Sequence, residues 1–75
     1  MKLIVYCTCP DHAAAQKLAR ELVASRLAAC VNILPGVESL YRWKGNIEHD
    51  NEILLLIKSD TAHFGALEDT ISNLH

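Results

Sequence analysis

The stretch that decides the fold runs from Ala28 to Lys58: Ala-Ala-Cys-Val-Asn-Ile-Leu-Pro-Gly-Val-Glu-Ser-Leu-Tyr-Arg-Trp-Lys-Gly-Asn-Ile-Glu-His-Asp-Asn-Glu-Ile-Leu-Leu-Leu-Ile-Lys. Two strand-forming runs flank a short polar tip, Lys44-Gly45-Asn46, which is the sequence form of a β-hairpin. The second run ends in five aliphatic residues, Ile53 to Ile57. Side chains alternate across a strand, so Ile53, Leu55 and Ile57 share one face while Leu54 and Leu56 occupy the other. A run that is apolar on both faces suits a strand covered on both sides. Pro35-Gly36 reads either as a turn or as a bulge inside one long strand. Strand-forming residues resume at once with Val37 and continue to Trp43, which favours the long, bent strand. The polar segment Glu48-His49-Asp50-Asn51 then belongs to an exposed arm beyond the body of the sheet.

Working outward, Leu3 to Cys7 forms a short apolar run that opens the chain as a buried strand, and Cys7-Thr8-Cys9-Pro10-Asp11 breaks it. From His12 to Ala29 the pattern is helical. Ala15, Leu18, Ala19, Leu22 and Val23 share one face, and Gln16, Lys17, Arg20 and Glu21 share the other. No glycine marks where this helix stops, so its end lies somewhere between Ser25 and Ala29. After Lys58, Ser59-Asp60-Thr61 offers capping side chains. Phe64, Leu67, Ile71 and Leu74 then recur at helical spacing.

The order β-α-β-β-α is that of a ferredoxin-like (βαββαβ) α+β fold, an antiparallel sheet with two helices on one face, with the last strand missing from this chain. In that arrangement the missing strand would pair with Leu3 to Cys7, whose edge is otherwise open. Residues 1–75 are expected to make a single domain, incomplete at its C-terminus.

Composition narrows the function. The chain has 75 residues, 51% of them hydrophobic, with a net charge of −2 and no basic cluster. Nucleic acid and anionic membranes are therefore not the expected partners. The three cysteines are an odd number, no secretory leader is visible, and no stretch reaches transmembrane length. The expectation is a cytoplasmic protein with reduced thiols. Two helices cover one sheet face, so Leu54 and Leu56 need another cover; a second copy of the chain is the expected one, the alternative being a run partly exposed on a monomer. No Gly-rich anion loop or nucleophile–base pair is readable, so the chain is not expected to be an enzyme.

Cys7 and Cys9 could offer thiolates to a soft ion, although Cys-x-Cys lacks the second pair of a structural zinc site. The alternative is that Cys7 and Cys30 are small core residues. His12, His49, His63 and His75 are scattered, none at the i, i+4 spacing of a helical metal pair; His12 and His63 are expected near helix starts, facing solvent. Tyr41, Trp43 and Lys44 concentrate at the hairpin tip. Tyr41 and Trp43 share a face, either as interface packing or as the wall of a cleft.

The run Leu27 to Gly45, together with Cys7-Thr8-Cys9-Pro10-Asp11 and Asp50 to Lys58, closely resembles the CutA divalent-cation tolerance family. The resemblance implies a ferredoxin-like protomer related in shape to PII signalling proteins and assembled as a homotrimer. It also implies a response to metal ions, with copper or another divalent cation as the bound species. His75 matches the histidine opening the family's His-Pro-Tyr motif, so a metal site using Cys7 and His75 is expected. Tyr41, Trp43, Lys44, Leu54 and Leu56 are the expected interface or cleft residues. The alternative is a PII-like signalling module that binds a small molecule or anion in clefts between subunits. Family chains continue past the position of His75 with further elements, and Cys9 stands where the family often has another small residue.

Overall fold

A computed structural model describes residues 1–74, in the order β1 (Lys2–Cys9), α1 (His12–Ala24), β2 (Cys30–Trp43), β3 (Asn46–Asp60) and α2 (Phe64–Leu74). The three strands form one antiparallel sheet in the order β1-β3-β2. β3, which carries the aliphatic run, is thus the central strand of the described sheet. This is the ferredoxin-like α+β topology, and among the described residues the outer edge of β1 has no partner strand.

Both helices lie on one face. Ala15, Leu18 and Leu22 of α1 and Leu67 of α2 meet Leu55 and Ile57 of β3, with Cys9 and Ala28 closing the core. Val5, Cys7, Val31, Ile33 and Ile53 line the same face in half-buried positions. The small side chains of Ala15 and Ala19 let α1 lie close on the sheet, and both are buried. Burying a leucine of this kind contributes about 1.5–3 kcal/mol, so the paired stripes on α1 and β3 are the main source of cohesion.

Three boundaries differ from the sequence reading. β1 does not break at Cys7 but runs through Cys9, whose Cα pairs with that of Ile53. The strand continues because Cys9 points into the core, where it is 1% exposed. Helix α1 stops at Ala24 rather than further along, in a cap that does without glycine. Leu27 N–H donates to Leu22 O at 3.0 Å and Arg26 N–H to Val23 O at 3.1 Å, the paired bonds of a Schellman motif. Arg26 takes the left-handed position of that motif at φ 62°, where glycine is usual. At its start, α1 is capped by Asp11, which accepts from Ala14 N–H at 2.8 Å. The hairpin turn is tighter than expected, since Trp43 and Asn46 already pair and only Lys44 and Gly45 turn. Their φ values of 50° and 81° make it the two-residue, type I′ form that suits strand twist.

β2 is a single strand bent at Pro35-Gly36. Leu34 pairs with Leu54 and Val37 with Glu52, so two residues of β2 stand opposite Ile53 alone. That is a β-bulge, and Gly36 adopts the left-handed conformation it requires at φ 76°. Since β1 ends opposite Ile53, residues 46–52 of β3 and their β2 partners run on as a two-stranded arm. At ~3.3 Å per residue the arm extends roughly 23 Å. The molecule is elongated accordingly, 39 × 23 × 20 Å.

Candidate functional site

The face of the sheet away from the helices is uncovered and apolar. Strand register sets Tyr6 beside Leu56 and Leu34 beside Leu54, with Thr8 on the other flank of Leu54. Ile4 is 60% exposed and Tyr6 72%, while Leu54 and Leu56 are half-buried by these neighbours. Leu54 and Leu56 thus lie where alternation puts them. Ile4 and Tyr6 correct the reading of Leu3 to Cys7 as buried throughout, since only alternate residues of β1 face the helices. Period-two alternation, applied to that run as to Ile53 to Ile57, is the signal that finds them.

The arm continues this face. Past the bulge, Val37, Ser39, Tyr41 and Trp43 pair with Glu52, Asp50, Glu48 and Asn46, the even-numbered residues that share a side with Leu54 and Leu56. The Tyr41 hydroxyl donates to Asp50 Oδ2 at 2.7 Å, and that bond, with the neighbouring negative charge, raises the phenol above its ordinary range. Trp43 is 59% exposed, and Lys44 Nζ stands 5.9 Å from its ring centroid, within cation–π reach. On the opposite side of the arm His49 Nε2 lies 3.3 Å from Glu38 Oε2. Leu40 and Ile47 are also exposed there. Tyr41, Trp43 and Lys44 therefore stand together at the tip, well separated from the cysteines.

Cys7 and Cys9 sit on the helix-facing side of β1. Burial raises the Cys7 thiol above its ordinary range. Burial, followed by the proximity of Cys7 and Asp11, pushes Cys9 up to about 11. Both are therefore thiols rather than thiolates at neutral pH, so a metal binding there must displace a proton. Cys30 corrects the expectation of a core residue. It is an exposed free thiol at the start of β2, because its side of the strand is the one without helices. Among the described residues no three His, Cys, Asp or Glu side chains gather in a metal-sized group. His75, the other expected ligand, lies outside the described residues. His12 and His63 are exposed near helix starts, as expected. His63 is held by Asp60, with Nδ1 at 2.7 Å and its backbone N–H donating at 2.9 Å to the same carboxylate oxygen. That contact lowers the Asp60 carboxyl below its usual range. No described helix is long and apolar enough to cross a membrane.

Comparison with known proteins agrees with this architecture. Residues 3–75 match the family model described as CutA1 divalent ion tolerance protein. The divalent-cation tolerance protein CutA of Pectobacterium atrosepticum is 49% identical over 73 residues, covering 97% of this chain and 66% of its own length. The chain therefore spans about two thirds of that relative. Among solved structures, the divalent cation tolerance protein Cut A1 of Thermus thermophilus superposes with a TM-score of 0.94 at 45% identity, over 100% of this chain and 73% of its own. The PII-like protein CutA of Nostoc sp. PCC 7120 superposes at 0.86 with 36% identity, over 100% of this chain and 69% of its own. Two helices on one side of a β1-β3-β2 sheet, a bulged long hairpin and a match over nearly every residue lead to one assignment: the chain belongs to the CutA divalent-cation tolerance family.

Proposed function

We propose that this chain works as a homotrimer in the response to divalent cations, without catalysing a reaction, and that it binds copper or a similar ion weakly through a site including Cys7 and His75. The observation that carries the assembly is the uncovered sheet face. Ile4, Tyr6, Leu34, Leu54 and Leu56 form a contiguous apolar surface, and the same side of the arm carries Tyr41 and Trp43 among polar and acidic partners. Each such side chain moved from water into an interface contributes about 1.5–3 kcal/mol, which is ample to drive association of a small chain. Light scattering at micromolar concentration tests it: a trimer mass is expected, and a monodisperse monomer overturns the reading. Copper titration of the parent, Cys7→Ser and His75→Ala tests the metal site, with weakened binding expected in both variants and unchanged binding in both removing it. The reading places the protein in the cytoplasm, which cell fractionation tests.

A second reading is favoured by the likeness to the PII-like Nostoc protein and by the exposed Trp43–Lys44 pair at the arm tip. In it, the clefts between subunits hold a small molecule or anion against Tyr41, Trp43 and Lys44. A ligand that binds only the assembled fold raises its melting temperature in proportion to the logarithm of concentration. A thermal-shift screen of nucleotides and small anions therefore separates this reading from a purely metal-responsive one.

A further inference from the structure

At the end of the sheet opposite the arm lies an open cleft of about 820 Å³. Its apolar walls come from Leu3 on β1, Val23 at the end of α1 and Leu27 in the loop that follows. Its cations are Lys2, Arg26 and Lys58, three of the seven Lys and Arg side chains in a chain of net charge −2. Among the described residues none of the three takes part in an ion pair. The reason is geometric. Asp60, the Cα partner of Lys2 and the one acidic residue lining the cleft, has its Oδ1 engaged by His63 through both backbone and ring nitrogen. The rim backbone is satisfied internally as well, with Ser59 Oγ donating to Leu27 O at 2.6 Å and Ala29 N–H to Lys58 O at 2.9 Å. What the cleft offers is exposed positive charge without an ion-pair partner among the described residues, beside an apolar wall.

Arg26 adds to this. It occupies the left-handed cap position where glycine is the unstrained choice, and it lines the cleft from there. A side chain held at a conformational cost beside a cavity invites a reason outside the fold. A guanidinium grips a carboxylate through two parallel hydrogen bonds, and a cleft of this size and apolar character suits an organic ligand better than a bare ion.

We propose that this cleft binds an organic carboxylate with an apolar body, its carboxylate held by Arg26 with Lys2 and Lys58 and its chain lying along Leu3, Val23 and Leu27. Lys2, Ile4, Cys30 and Lys58 stand on the uncovered side of the sheet, so the cleft adjoins the proposed trimer face. Cys7, three residues beyond Ile4 on β1, does not line it, so the fate of the cleft does not depend on the metal reading.

Cys30 gives a local reporter, since it lines the cleft while Cys7 and Cys9 do not. The experiment titrates the chain with decanoate, decanol and inorganic phosphate. It follows heat of binding and the rate of iodoacetamide alkylation at each cysteine by peptide mass mapping. Saturable decanoate binding is expected, with Cys30 alkylation slowed at least threefold and Cys7 and Cys9 unchanged. Arg26→Gly removes the cation while supplying the residue the cap favours. It is expected to weaken decanoate binding at least tenfold without lowering the melting temperature, and Lys58→Gln to weaken it severalfold. Equal binding of decanol marks a merely greasy surface, and equal protection by phosphate marks a simple anion site. Either result overturns the proposal, as does unaltered affinity in Arg26→Gly or absence of saturable binding.

Discussion

Tyr41 and Asp50 are joined across the arm by a 2.7 Å hydrogen bond, two residues out of direct register, since the Cα partner of Tyr41 is Glu48. The bond is diagonal on one face of a two-stranded ribbon, where such neighbours still reach one another. Because the Asp50 carboxylate accepts from the neutral phenol, the fold favours the protonated tyrosine. Its contribution is complete below the ordinary tyrosine range and is lost as pH rises through the raised value. An absorbance titration is expected to show the Tyr41 phenol ionising later in the parent than in Asp50→Asn, where the midpoint falls back toward normal. Coincident titrations would show that the bond does not persist in solution.

Lys44 is the strained member of the hairpin turn. It holds φ 50° without the freedom of glycine, beside Gly45, which holds 81°. Asparagine tolerates that conformation better, so Lys44→Asn is expected to stabilise the chain by about 0.5–1 kcal/mol, less whatever the Trp43 contact contributes. Chemical denaturation read by tryptophan fluorescence checks the sign, with a lower midpoint in the variant counting against the turn geometry.

Leu55 and Leu56 are neighbours in sequence with opposite duties. Leu55 is fully buried under the helices, and Leu56 faces the uncovered side. Leu55→Ala is expected to cost about 2–5 kcal/mol and to unfold a domain this small. Leu56→Glu is expected to leave the helices' circular dichroism in place while converting the proposed trimer to monomer, as read by light scattering. If Leu56→Glu keeps the oligomer, the open face is not the interface.

Asp60 provides an acid-side test. Its carboxyl is lowered chiefly by the His63 hydrogen bonds, so the stabilisation is present above the ordinary carboxylate value and disappears as pH falls through the lowered one. The melting temperature of Asp60→Asn is expected to lie below the parent's at neutral pH and to converge with it in strong acid. A gap that stays constant down to about pH 2 would assign the effect to something other than this carboxylate.

Much of the fold was legible because the hairpin is written in local chemistry. Lys44-Gly45 announced the turn, and five aliphatics in a row announced a strand apolar on both faces. Leu54 and Leu56 followed from alternation alone. The end of α1 was not legible, because the residue in the left-handed cap is Arg26 and not a glycine, and backbone strain leaves no mark in composition. Cys30 departs from the core position usual for cysteine, because only the positions of the helices decide which side of β2 is covered. The candidate metal site was least legible of all. Cys7 and His75 are 68 positions apart, which leaves no spacing to read, so that pairing rests on the family resemblance.

The bulge at Pro35-Gly36 makes the arm's length a matter of odd and even. Upstream of it, even-numbered residues of β2 (Asn32, Leu34) stand with Leu54 and Leu56; downstream, odd-numbered ones (Val37, Tyr41, Trp43) do. Removing a single residue there would send Tyr41 and Trp43 to the far side and bring Leu40 and Arg42 round in their place, with the composition of the hairpin hardly altered. The arm can therefore be lengthened or shortened by pairs of residues and keep its aromatic tip on the side it now shows. A change of one turns it inside out.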